Sequence, residues 1–224
     1  MQIHFDDDLN ALKDRLKHMG LQAERMLETA IRSLVAHKTE PLEEVFSIER
    51  EVNALHLEID NKALDLIALH QPVAGDLRLL VMAIKICSEV ERIADQTVNI
   101  AQNTRIYLQH PPLKPLLIDL PLMTEAALEM LHKSLDAFVR RDAALAREVL
   151  AMDDRVDALK GRIFRELLTH MMSDPAGIQR ALCLLLISRN LERIGDHATN
   201  VAEEVIYLVE GRDVRHGTEK PVSG

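Results

Sequence analysis

The feature that most limits what this chain can fold into is a phrase written twice. "VERIADQTVNIAQN", from Val90 to Asn103, returns as "LERIGDHATNVAEE" from Leu191 to Glu204, pairing Glu91 with Glu192, Arg92 with Arg193, Asp95 with Asp196 and Asn99 with Asn200, 101 residues apart. Upstream of each copy the correspondence continues at an offset of 104, matching Met19 with Met123, Met26 with Met130, Leu27 with Leu131, Val52 with Val156 and Leu55 with Leu159. Self-similarity at a fixed offset marks a duplicated structural unit.

The unit is helical. Apolar residues recur at three- and four-residue steps throughout, and no alternating β-branched run stands between turn signals. The low aromatic content of 3%, with no Trp and only eight Gly, fits the same reading. A first helix is expected from about Asp8, as N-cap, to Lys38. A second starts at Pro41, with Glu43 and Glu44 in the favourable first turn, and runs to His70. "HQPVAG" interrupts it, and a third runs from about Gly75 to His110.

"HPPLKPLL" carries Pro111, Pro112 and Pro115 and separates the halves. The order then repeats: helices from about Leu120 to Arg140, Asp142 to Met172 and, after "SDPAG", Ile178 to Gly211. The expected architecture is all-α, a tandem of two three-helix bundles over residues 1–110 and 116–211, followed by a loose tail over 212–224.

Charge and composition narrow the class. The formal net charge of -9 disfavours nucleic acid or an anionic membrane as the main partner. "MQIHFDDDLN" places acids where an export signal is basic, and the longest apolar runs fall well short of the ~20 residues that span a bilayer. Cys87 and Cys183 both lie in apolar helical runs, as small buried hydrophobes in a reducing compartment do. A cytoplasmic protein is expected.

The repeated acids carry the candidate chemistry. On a helix, Glu91 and Asp95 differ by about 40° and share a face, as do Glu192 and Asp196. Behind them run Cys87, Ile84 and Leu80 in one copy and Ser188, Leu185 and Ala181 in the other, so the acids extend an apolar stripe. Arg78, Lys85 and Arg92 fall seven apart on a different face, expected to be a solvated edge that leaves the acids unneutralised.

Carboxylates four apart on an exposed helix repel by roughly 0.2–0.5 kcal/mol, and a hard cation relieves this. In the middle helices Glu49 with Asn53 and Asp153 with Asp157 repeat the spacing, while Asn99, Asn200 and Glu203 continue the acid face as possible neighbours. Each half can bring oxygens from two helices to one metal, with magnesium, calcium, manganese and iron as candidates. His197 reads as a neighbour of such a site rather than a ligand, since Gln96 stands at its match. Solvated surface acids with ordinary ion pairs are the alternative.

No phosphate-binding loop or nucleophile motif is present. One ExxH, Glu129 with His132, is a weak echo of the carboxylate-bridged di-iron enzymes, and a metalloenzyme on a helical bundle stays as the alternative function. Met19, Met26, Met123 and Met130 sit at core spacing.

The doubled "ERIAD" and "ERIGD", the repeated three-helix order, "HQPVAGDLRLL", and "VRH" at Val214 to His216 together resemble the PhoU family of bacterial phosphate-system regulators. The resemblance implies two three-helix bundles with multinuclear metal sites, commonly of iron or zinc, on Glu91 with Asp95, Glu192 with Asp196, and Asp153 with Asp157. Glu49 pairs with Asn53 where the family has an acid, which implies weaker binding in the first half. It further implies a non-enzymatic homodimer that adapts the ATPase of the phosphate ABC transporter to the sensor histidine kinase. Such a protein restrains uptake and the phosphate-starvation response, and meets the membrane only through its partners.

Overall fold

The structure, a computed structural model, describes residues 2–113 and 119–214, with the backbone alone for residues 2–4. Six helices follow one another: α1 (Gln2–Ala36), α2 (Leu42–His70), α3 (Ala74–Tyr107), α4 (Asp119–Arg140), α5 (Ala143–Ser173) and α6 (Ile178–Glu210), with a 3-10 turn at Pro175–Gly177. No strand occurs among the described residues. Pro115, Arg215, His216 and most of the tail lie outside them.

Each half folds its three helices against one another, and the halves join chiefly through α3 against α6, with α1 against α4 beside them. The two copies of the repeated phrase therefore lie on the helices that hold the molecule together, while α2 and α5 flank them. A single hydrophobic core runs through both halves. Met19, Met26, Met123 and Met130 are fully buried in it, so these methionines are packing.

The duplication reaches the backbone. His37 and Arg141, 104 residues apart, end α1 and α4 in the left-handed region at φ 54° and 55°. At each, the amide two residues past the helix bonds back to a carbonyl in the last turn, Lys38 N to Ser33 O at 3.1 Å and Asp142 N to Ala137 O at 2.9 Å. This is a Schellman closure made without glycine. Beyond the second one, Asp142 Oδ1 accepts from the amides of Ala144 and Leu145 at 2.9 and 3.0 Å and caps α5.

Two helix limits differ from expectation. α1 begins at Gln2, well before Asp8, because Phe5 and Leu9 continue the buried stripe of Leu12 and Leu16 toward the N-terminus. The Phe5 ring packs on His70 with centroids 4.8 Å apart, and Asp8 accepts from Lys62 Nζ at 2.7 Å instead of capping a helix. α3 stops at Tyr107. The fully buried Tyr107 hydroxyl accepts from the Leu113 amide at 2.9 Å and ties down the chain leaving the first half. At the far end, Val214 packs against the core beyond α6.

Candidate metal sites on two acidic helix faces

In the second half the sequence-predicted acids gather as two helices of one bundle must place them. Asp153 and Asp157 on α5 face Glu192 and Asp196 on α6, and the repulsion is felt at Asp153 and Asp196. Burial, then Asp157, Asp196, Asp154 and Glu192, push the Asp153 carboxyl above its usual range. Burial, then Glu192 and Asp157, do the same to Asp196, against opposing pulls from His197 and Lys160.

One cation is already built in. Lys160 Nζ of α5 donates to Glu192 Oε1, so this carboxylate is neutralised from the neighbouring helix rather than by Arg193 beside it. Sequence periodicity missed Lys160, since its partner lies on another element. The donor set, four carboxylates with two pushed toward protonation, fits a hard divalent cation, which restores their charged forms.

In the first half, Glu49, Asn53 and Glu91 are half-buried, and Asp95 is exposed. Asn53 Nδ2 donates to Glu49 Oε1 at 2.6 Å, which leaves the buried Asn53 Oδ1 without a partner. An unpartnered amide oxygen beside the Glu49 carboxylate also fits a hard cation. Asn99 is exposed, and its carbonyl accepts from Asn103. Glu203 on α6 is half-buried.

Several expectations are corrected. Asn200 turns away from the acid face of its own half, and its amide donates to Glu89 of α3 at 3.0 Å. His197 meets the same Glu89 oxygen at 2.7 Å, so both close the α3–α6 interface. The expected solvated edge of α3 also faces α6: Lys85 pairs with Glu204 at 3.1 Å, and the Arg78 guanidinium lies 5.7 Å from the Tyr207 ring centroid. Only Arg92 of that stripe is exposed. The reason is common to all three, because the face that adjoins the acids is the one that packs on the other half.

Glu129 and His132 do not converge. Glu129 pairs with Lys133 and Arg155, and His132 reaches across to Glu24 at 3.3 Å. Among the described residues no helix is long and apolar enough to cross a membrane. Cys87 and Cys183 are free and buried.

Fold and site define a class: a duplicated three-helix protein whose halves meet along their third helices and carry an acidic face on each hairpin. The PhoU domain matches residues 16–104 and 120–205, and the chain belongs to the PhoU family. It is 39% identical over 211 residues, 94% of this chain and 99% of the relative, to the phosphate-specific transport system accessory protein PhoU homolog of Deinococcus radiodurans. To the accessory protein PhoU of Serratia marcescens it is 36% identical over 212 residues, covering 95% and 87% of the two chains. The crystal structure of PhoU from Pseudomonas aeruginosa superposes with a TM-score of 0.89 at 34% identity, over 93% of this chain and 100% of that one. That of the phosphate transport system regulatory protein PhoU from Streptococcus pneumoniae gives 0.86 at 26%, over 94% and 99%. These relatives are named as accessory or regulatory proteins and not as enzymes, so the metalloenzyme alternative falls away.

Proposed function

We propose that this protein is an accessory regulator of phosphate transport that restrains both uptake and the phosphate-starvation response when phosphate is plentiful. In this reading it works in the cytoplasm as an adaptor between the transporter ATPase and the sensor histidine kinase. Metal ions on its acidic faces form part of the surface presented to partners. The observation that carries the metal part is the electrostatic deficit at Asp153 and Asp196, each pushed up by burial and by the other acids.

A divalent cation bound there supplies charge neutralisation. The chain's own residues do the rest: Asp153 and Asp157 present oxygens from α5, Glu192 and Asp196 from α6, and Lys160 neutralises Glu192 while no cation is bound. Self-association into a dimer is supported by exposed apolar side chains at matched positions of the two halves, Leu64 with Leu168, Leu77 with Ile178, and Val81 with Leu182. Such surface is costly to leave in water.

The test is alkaline phosphatase activity in phosphate-replete cells with and without the gene. High activity in the deletion strain, reversed by the intact gene, is the expected result; unchanged repression contradicts the regulatory role.

A further inference from the structure

The duplication is imperfect where it matters chemically. Lys160, which neutralises Glu192 in the second half, has His56 at its match in the first; Phe164 has Asp60, and Ser188 has Cys87. Three positions of one region thus carry an ammonium, a ring and a hydroxyl in one half, and an imidazole, a carboxylate and a thiol in the other.

In the structure these three side chains come together. One atom each of His56, Asp60 and Cys87 lie within 4.8 Å of one another. His56 Nε2 and Asp60 Oδ2, one helical turn apart on α2, stand 3.5 Å apart. Tetrahedral coordination at ordinary zinc bond lengths separates its ligands by roughly 3.3–3.6 Å, so this pair already has the right spacing. His56 Nε2 and Asp60 Oδ1 are buried atoms with no hydrogen-bond partner, an unusual condition for polar groups within reach of one another.

The third member is the fully buried Cys87, with the Met19 thioether 3.5 Å from its sulfur. We propose that His56, Asp60 and Cys87 form a metal site for a borderline cation of the zinc(II) class, in the first half only and distinct from the acidic faces.

The chemistry differs from that of the acid face. Thiolate and imidazole donors select zinc-like ions over magnesium or manganese, and a neighbouring thioether adds to that preference. Binding takes the proton from the Cys87 thiol and releases it to solvent, leaving a thiolate, a carboxylate, a neutral imidazole and a dication, which sum to zero charge. Without such a cation, burial and then the carboxylates of Asp60 and Glu91 drive the thiol strongly toward its protonated form. The site opens outward, since the His56 and Asp60 side chains retain 23% and 35% of their exposure. Cys183, buried on α6, gathers no such group among the described residues.

This inference does not rest on the regulatory reading and is tested without it. Cobalt(II), a spectroscopic stand-in for zinc, is titrated into the metal-free full-length protein and followed by near-ultraviolet absorption. The expected result is a thiolate-to-cobalt charge-transfer band that saturates at one equivalent and is displaced by zinc. Cys87→Ser abolishes the band, and the fold tolerates it because the repeat itself has Ser188 there. Cys183→Ser and the Asp153→Asn/Asp196→Asn double variant keep it. His56→Gln and Asp60→Asn, on the outer side of the site, each weaken cobalt binding by about tenfold or more. No band in the wild type, a band that survives Cys87→Ser, or unchanged affinity in both α2 variants overturns the proposal.

Discussion

Glu89 of α3 and His197 of α6 meet at 2.7 Å across the interface between the two halves, with their side chains 21% and 17% exposed. Asn200 donates to the same carboxylate oxygen, so one acid gathers two partners from the other half. Burial works to raise the Glu89 carboxyl, but the hydrogen bonds from His197 and Asn200, with His197 and Arg92 charge, outweigh it and hold it below the usual glutamate range.

A pH dependence follows. Because the folded-state pKa is lowered, the contribution of Glu89 is present above the ordinary glutamate pKa and is lost as pH falls through the depressed folded value. Glu89→Gln should therefore narrow the stability difference between neutral and acid pH. A double-mutant cycle with His197→Gln, read by denaturant unfolding at neutral pH, should give a coupling of about 0.5–3 kcal/mol. Additive effects would mean that the contact does not hold the halves together.

Lys160 competes with metal. Its ammonium pairs with Glu192 at the centre of the second acidic face, with 38% of its own side chain exposed. Lys160→Gln should leave the acids more repulsive, destabilise the metal-free protein, and tighten manganese(II) binding by roughly three- to tenfold, about 0.7–1.4 kcal/mol. Calorimetric titration checks this, and weaker binding in the variant would place Lys160 as a support of the site instead of its competitor.

The left-handed Arg141 is a stored backbone cost. At φ 55° a side chain crowds its own carbonyl, and glycine removes the clash at the expense of more freedom in the unfolded chain. Arg141→Gly should raise stability by about 0.5–1 kcal/mol, read as a higher denaturant midpoint with an unchanged slope.

Tyr107 anchors the exit from α3 through its hydroxyl. Tyr107→Phe keeps the ring but strips the Leu113 amide of its acceptor in a buried position, at a cost of about 1–3 kcal/mol. Chemical denaturation measures the loss, and hydrogen exchange at Leu113 should report it locally.

The sequence disclosed the six helices because their apolar period is long and regular, and because proline and glycine mark most breaks. It also placed Glu91 with Asp95, and Glu192 with Asp196, on single faces, since a four-residue step fixes that by helix geometry alone. Contacts between helices were a different matter. Nothing in the local period says that Lys160 reaches Glu192, or that Asn200 and His197 turn toward Glu89. The start of α1 lies before Asp8, which has the chemistry of a cap, because Phe5 and Leu9 have enough buried surface to carry the helix past it. His56, Asp60 and Cys87 do not stand out in the repeated pattern, because they occupy positions where the halves differ.

In the proposed function, the acidic face of α5 and α6 serves regulation through bound metal. The most direct measurement is alkaline phosphatase activity in phosphate-replete deletion cells that express either the wild-type chain or the Asp153→Asn/Asp196→Asn variant at equal levels. The variant removes two repelling carboxylates, each pushed above its usual range, so it should be at least as stable as the metal-free wild type. The wild type is expected to restore repression and the folded variant to fail. Full repression by the variant, together with lost metal binding, would contradict it.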